Sequence, residues 1–176
     1  MSLVGRHAPG FSLPSTKNMD FLDERVSLED HRGRWVVLVF YPADFTFVCP
    51  TEVLAFSASA EEFAAEDADV IAISPDGVHC HQAWQEFVLG PLAFPLASDS
   101  TLAVSRAYDV LVEEDGVPLR ALFLIDPHGV VRYEVVHDDN VGRSVQESLR
   151  VLRGLKMGTR VPAGWQPGDP TLEPAA

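Results

Sequence analysis

The sequence predicts an α/β fold in which helices flank a mixed central β-sheet, and three observations predict it. Val36-Val37-Leu38-Val39-Phe40 and Asp69-Val70-Ile71-Ala72-Ile73-Ser74 are near-continuous β-branched runs, the pattern of strands buried on both faces. Each is followed by a stretch whose apolar residues recur at helical spacing. Two later runs flank Pro127-His128-Gly129, a turn signal, and pair as a hairpin. Strands alternating with helices, then a hairpin and a closing helix, give parallel and antiparallel strands in one sheet.

Residues 1–34 are broken by Pro and Gly and read as irregular. Beyond the first strand, Val53, Leu54, Phe56, Ala60, Phe63 and Ala64 set a helix over 51–65. Glu61, Glu62, Glu66, Asp67 and Asp69 form its solvated face and exit loop. Pro75-Asp76-Gly77 ends the second strand, and a helix is expected over 81–89. Residues 94–99 give a short strand, with a helix starting at Ser100-Thr101. Runs 119–126 and 130–136 make the hairpin, and Val145, Leu149, Leu152 and Leu155 set the last helix over 144–157. The tail from Gly158 carries four prolines and few apolar anchors. The expected division is therefore a domain over 1–158 and a Pro-rich C-terminal arm over 159–176.

At 176 residues, 47% hydrophobic and 22% charged, the chain has the size and balance of one globular domain with a real core. Its formal net charge is −13, from 13 Lys and Arg against 26 Asp and Glu. That argues against nucleic acid, whose phosphates need clustered cations. No apolar run approaches the roughly 20 residues of a bilayer span, so no membrane association is expected. The N-terminus lacks a cationic segment followed by an apolar one. With two cysteines and no export signal, the expected compartment is the cytoplasm, where thiols stay reduced unless chemistry oxidises them.

The chemistry centres on Cys49. The first strand stops at Pro42, a short loop carries Thr46, and Cys49 stands where a helix begins. A free thiol with a pKa near 8.5 is only about 3% thiolate at pH 7, and a helix N-terminus with a nearby cation favours the charged form. Arg120, which opens a later buried strand, is the candidate cation, because guanidinium keeps its charge and holds several acceptors. Thr46 and loop N–H groups can bind an incoming oxygen. Most free cysteines are simply small buried apolar residues; the Pro-x-x-x-Thr-x-x-Cys spacing at a strand-to-helix junction argues for a nucleophile instead. A dithiol oxidoreductase would want Cys-x-x-Cys, but Glu52 holds the fourth position. No histidine is identified that would pair with Cys49 in a hydrolase.

The run Phe40-Tyr41-Pro42-Ala43-Asp44-Phe45-Thr46-Phe47-Val48-Cys49-Pro50-Thr51-Glu52 resembles the active-site segment of peroxiredoxins. It is most similar to the typical two-cysteine group that includes the peroxidase component of alkyl hydroperoxide reductase. The likeness extends through Val26-Ser27-Leu28, Gly33, Ala83-Trp84, residues 120–126 and Val141-Gly142-Arg143-Ser144-Val145. It implies a thioredoxin-like fold and a thiol-dependent peroxidase, acting on hydrogen peroxide and organic hydroperoxides without a cofactor. Cys49 would be the peroxidatic cysteine, completed by Pro42, Thr46 and Arg120, with Glu52 and Arg143 in support. The implied partners are a thioredoxin-, glutaredoxin- or flavoprotein-type reductant and further copies of the chain, as a homodimer or a higher homo-oligomer. A peroxide sensor or chaperone-like scaffold is the alternative use of the same oxidation.

The chain departs from that group at the second thiol. Where the group carries a resolving cysteine near the C-terminus, this sequence reads Arg160-Val161-Pro162-Ala163-Gly164-Trp165. Cys80 is the other candidate. Cys49 and Cys80 each follow a buried parallel strand, so both belong at the same sheet edge, roughly 10–13 Å apart by strand spacing of ~4.8 Å. A disulfide needs Cα atoms within about 7 Å, so a helical turn would have to unwind. Some peroxiredoxin branches do carry a resolving cysteine in this later helix. Resolution by Cys80 and by an external thiol both remain open. His79-Cys80-His81 does not have zinc-ligand spacing, so no metal is expected; the histidines bias Cys80 toward thiolate or face solvent. The tail also lacks the group's Tyr-Phe pair, and its Gly-rich loop is reduced to Val88-Leu89-Gly90-Pro91, which implies resistance to overoxidation.

Overall fold

The chain opens with two short strands that local sequence does not announce, β1 (Ser12–Pro14) and β2 (Arg25–Ser27), paired antiparallel. Residues 1–172 are described by this computed structural model. The expectation of an irregular N-terminal segment overlooked this ribbon because three-residue strands carry too few side chains to show a period. Ser27 then caps a single 3₁₀ turn, Leu28–His31, its hydroxyl accepting from the Asp30 N–H while the Asp30 carboxylate accepts from the Ser27 N–H.

β3 (Trp35–Phe40) leads into α1 (Cys49–Ala58) and α2 (Ala60–Ala65). The helix expected over 51–65 is two helices broken at Ser59, and it begins at Cys49, with Pro50 in the first turn where its missing N–H leaves no bond unmade. β4 (Ala68–Ser74) follows, then α3 (Val78–Trp84). α3 runs into a π-helical turn, Gln85–Leu89, which Gly90 ends at φ 75°. The helix expected over 81–89 thus starts at Val78, and Cys80 lies inside its first turn. β5 (Leu96–Ser98) precedes α4 (Ala103–Ala107). Asp99 binds the α4 start, accepting from the N–H of Val104 and Ser105 at 3.1 and 2.7 Å. A small ribbon of β6 (Leu111–Val112) and β7 (Val117–Pro118) leads to the predicted hairpin, β8 (Arg120–Ile125) and β9 (Val131–His137). Gly129 turns that hairpin at φ 82°, and a Cβ there would run into the Arg32 guanidinium.

The five-stranded sheet has the order β5-β4-β3-β8-β9, with β3, β4 and β5 parallel and β8 and β9 antiparallel. Register fixes what shares an edge. Phe40 pairs with Ile73 on one side and Ala121 on the other. The carboxyl ends of β3 and β4, the start of β8 and the end of β9 therefore meet. The core on one sheet face is built on Phe40, Tyr108 and Phe123, whose ring centroids lie 5.0–5.9 Å apart.

The contacts divide the chain into two compact units, Met1–Arg143 and a second from Ser144 onward. In the second, Ser144 caps α5 (Val145–Lys156) by accepting from the Glu147 N–H at 3.1 Å. Trp165 is buried, with its indole N–H on the Asp169 carbonyl and its own carbonyl accepting from Arg150. Its ring packs at Gly154, where a Cβ would meet it at 3.8 Å. Residues 173–176 of the expected arm lie outside the described residues.

Phe123→Ala, which removes the ring between Phe40 and Tyr108, should lower stability by about 3–5 kcal/mol. Urea unfolding should show an earlier midpoint with an unchanged m value.

Candidate active site

The shared sheet edge collects the site. Pro42 is buried just past the end of β3, and the loop over 43–48 delivers Cys49 to the first position of α1. Arg120 begins the antiparallel β8 and so arrives beside the end of β3. The segment after β9 brings back Asp139 and Arg143. Three pieces distant in sequence thus converge because register, not local preference, brings their ends together.

Cys49 is fully buried, and Arg120 Nη1 donates to its sulfur at 3.2 Å. The same Nη1 donates to Glu52 Oε2 at 2.8 Å. Arg120 Nε reaches the Asp139 carbonyl at 2.7 Å and Nη2 the Asp139 carboxylate at 3.0 Å. Glu52, one turn into α1, accepts from Arg143 Nε at 2.8 Å, Nη2 at 3.1 Å and the Arg143 backbone N–H at 2.7 Å. Arg143 Nη1 closes onto the Ala121 carbonyl of β8. Glu52, Arg120 and Arg143 are nearly devoid of solvent contact. Burial alone would raise the Glu52 carboxyl, but its bonds to Arg143 and then Arg120 hold it below its ordinary 4.5. Arg120 is raised above its ordinary value: burial works against its charge, and Cys49 and Glu52 outweigh that. The guanidinium is therefore fixed as a cation against the sulfur.

Thr46 is exposed and its hydroxyl donates to the Ala43 carbonyl at 3.0 Å. The structure brings Cys49, Arg120, Glu52 and Arg143 into one bonded group, of which Thr46, in the exposed loop before α1, is not a member. With its proton on Ala43, the Thr46 oxygen keeps lone pairs that can accept from a hydroperoxide O–H. Phe45 beside it holds φ 53°, a left-handed conformation that is strained for an aromatic residue, and Phe47 is 95% exposed.

A second polar cluster sits on the same edge after β4. Asp44 accepts from the Tyr41 hydroxyl at 2.8 Å and faces His81 Nδ1 at 2.7 Å, all three buried. Asp76 accepts from the Asp44 N–H at 2.9 Å and the Ser74 hydroxyl at 2.8 Å. The Cys80 thiol donates to Asp76 Oδ1 at 3.8 Å. Sequence reasoning passed over Asp44 and Asp76, whose types are ordinary in loops and turns; their meaning comes from β4 standing beside β3. The two histidines divide: His79 is exposed, while His81 is buried and paired. The expectation that they favour a Cys80 thiolate is corrected. Burial, then the Asp44 and Asp76 carboxylates, push the Cys80 thiol up to about 12. Asp44, Asp76 and Cys80 bring ligand-capable atoms within 4.8 Å of one another, but all four carboxylate oxygens already accept protein donors.

A buried thiol bonded to a fixed guanidinium at a helix start, on a mixed sheet between helices, defines a thiol-based redox enzyme of thioredoxin-like fold. The chain belongs to the AhpC/TSA family, whose profile matches residues 4–134. It is 46% identical over 176 residues to a thioredoxin peroxidase of Fasciola hepatica, covering 95% of this chain and 90% of that protein. Among solved structures it superposes on the reduced 2-Cys peroxiredoxin of Plasmodium vivax with a TM-score of 0.92 and 35% identity, over 99% of this chain and 94% of that one. The AhpC of Enterococcus faecalis matches with a TM-score of 0.85 and 30% identity, over 92% and 99%. Peroxidase activity dependent on a thiol is the shared property of this family.

Because the Glu52 carboxyl lies below its unfolded value, the stability it contributes is present above that value and lost as pH falls through the folded one. Glu52→Gln should cost about 3–5 kcal/mol at neutral pH, because it leaves the buried Arg143 guanidinium without its carboxylate and Arg120 with only the exposed Asp139. In chemical unfolding, the gap between parent and variant should narrow below about pH 4.

Proposed function

We propose that Cys49 is the peroxidatic thiol and that Arg120 stabilises the charge its reaction develops. The observation that carries this reading is the 3.2 Å bond from Arg120 Nη1 to the Cys49 sulfur at the start of α1. The sulfur attacks one oxygen of a hydroperoxide, the O–O bond breaks, and water or an alcohol leaves as the departing oxygen takes a proton. Cys49 becomes a sulfenic acid. Thr46 accepts from the substrate O–H, Pro42 keeps water from the sulfur, and Glu52 with Arg143 holds Arg120 in line. Hydrogen peroxide and organic hydroperoxides both present the needed O–O bond.

Cys80 then resolves the sulfenic acid through an intrachain disulfide, and a thioredoxin-type reductant returns both thiols; glutaredoxin- and flavoprotein-type donors are the other candidates. Cys80 follows β4 at the same sheet edge where Cys49 follows β3, and it is the other cysteine of the sequence. The chain works in the cytoplasm as a homodimer or a higher homo-oligomer. Among the described residues no helix is long and apolar enough to cross a membrane.

Steady-state peroxide consumption with a thioredoxin system tests the assignment. Cys49→Ser should abolish turnover. Cys80→Ser should still form one sulfenic acid per chain but turn over at least tenfold more slowly. Mass mapping after one equivalent of peroxide should find a Cys49–Cys80 link within one chain; its absence, with Cys80→Ser as fast as the parent, assigns resolution to an external thiol.

A further inference from the structure

The polar cluster around Cys80 is not used by the attack on peroxide, yet its carboxylates are fully bonded, while the far nitrogen of its histidine, His81 Nε2, is buried without a partner among the described residues. Every carboxylate oxygen of Asp44 and Asp76 is engaged, and Asp76 holds both the Asp44 backbone and the Cys80 thiol. Three carboxylate and thiol ligand atoms crowd within 4.8 Å. A thiolate there would face two negative charges at close range, the arrangement that most disfavours it. The charged groups facing Cys80 are Asp44 from the loop and Asp76 from the turn before α3; of its helix neighbours, His81 turns its Nδ1 to Asp44 and His79 is exposed to solvent. Burial and these carboxylates together push the thiol up to about 12.

Asp44 belongs to the same loop that presents Cys49, five residues further on. That loop is pinned at three points: the Tyr41 hydroxyl, the His81 ring and the Asp76 carboxylate. Next to Asp44 stands the strained Phe45. Cys49 is fully buried and bonded to Arg120, so it cannot meet Cys80 unless this loop and the first turn of α1 leave their seats. The same departure carries Asp44 away from Cys80.

We propose that Asp44 and Asp76 are positioning residues that keep Cys80 a protonated, unreactive thiol while the Cys49 loop is seated, and that release of the loop arms Cys80. The inference rests on the reading of Cys80 as the resolving thiol. The armed step balances without any outside reagent. The Cys80 sulfur attacks the sulfur of the Cys49 sulfenic acid, the S–S bond forms as the S–O bond breaks, and the hydroxide leaves with the Cys80 proton as water. Cys80 is oxidised and the Cys49 sulfur reduced. The device keeps Cys80 from being consumed by peroxide before Cys49 has reacted.

Alkylation of Cys80 by iodoacetamide in a Cys49→Ser protein, followed by mass spectrometry from pH 6 to 10, tests it. The parent rate should still be rising at pH 10 without a plateau. Asp44→Asn and Asp76→Asn should each move the midpoint down, a tenfold gain at pH 8 for each pH unit of the shift. The charge-preserving Asp76→Glu should keep the midpoint high, whereas a purely structural role would scale the rate alike at every pH. Tyr41→Phe, which removes a pin and no carboxylate, should shift the midpoint in the same direction as Asp44→Asn. A parent midpoint near 8.5, an ordinary thiol value, overturns the proposal, as do unmoved midpoints in the Asn variants; an unmoved Tyr41→Phe profile overturns the coupling to the loop. Should Asp44→Asn fail to fold, the parent and Asp76→Asn profiles decide. Failure of the resolving role reads out separately, as a missing Cys49–Cys80 link in the peroxide-treated unsubstituted chain while the Asn variants in the Cys49→Ser background still shift.

Discussion

Glu52 places one negative charge between two buried guanidinium groups, and the rest of the site hangs on that charge. It lies on α1 one turn from Cys49, so the helix that presents the sulfur also carries the anchor for the cation facing it. Through Arg143 it ties the segment after β9 to the start of β8, since Arg143 bonds both Glu52 and the Ala121 carbonyl. Isolated burial of these three ions would be prohibitive; mutual pairing with several hydrogen bonds each makes it tolerable. The gain is placement. Arg120 has its Nε and one Nη2 donor held on Asp139, which fixes the plane that aims Nη1 at the sulfur.

Much of this was legible in the sequence, for physical reasons that differ by element. β3, β4, β8 and the hairpin turn were readable because strands buried on both faces need unbroken apolar runs, and α5 because its apolar residues repeat at helical spacing. Cys49 and Arg120 were readable because a lone thiol at a strand-to-helix junction asks for a cation. The short β1–β2 ribbon was not readable: it is held by pairing across the loop over 15–24, with too few side chains to pattern. The start of α3 was misplaced because Gly77 caps it through backbone geometry alone, with no side-chain signal.

Asp44 and Asp76 show the deeper limit. Nothing in either residue's neighbourhood along the chain says that two carboxylates, a tyrosine, a histidine and a thiol will share one pocket. That outcome depends on β4 lying parallel to β3, which sets the turn after one strand against the loop after the other. The cluster's effect on Cys80 opposes the effect its neighbouring histidines suggest in sequence. Adjacent residues on a helix diverge, and His81 turns its ring inward to Asp44.

The complete burial of the Cys49 sulfur bears on which molecules can reach it. A hydroperoxide presents a pair of small oxygen atoms at the tip of whatever it is attached to, and so needs only a narrow opening. A thiol borne on a folded protein brings a whole surface with it and cannot touch an atom that has none exposed. With Cys49 as the reacting thiol proposed above, a small local opening beside the loop over 43–48 suffices for the oxidant, whereas a protein-borne reductant needs a far larger one, so the two halves of the cycle ask two different openings of one chain.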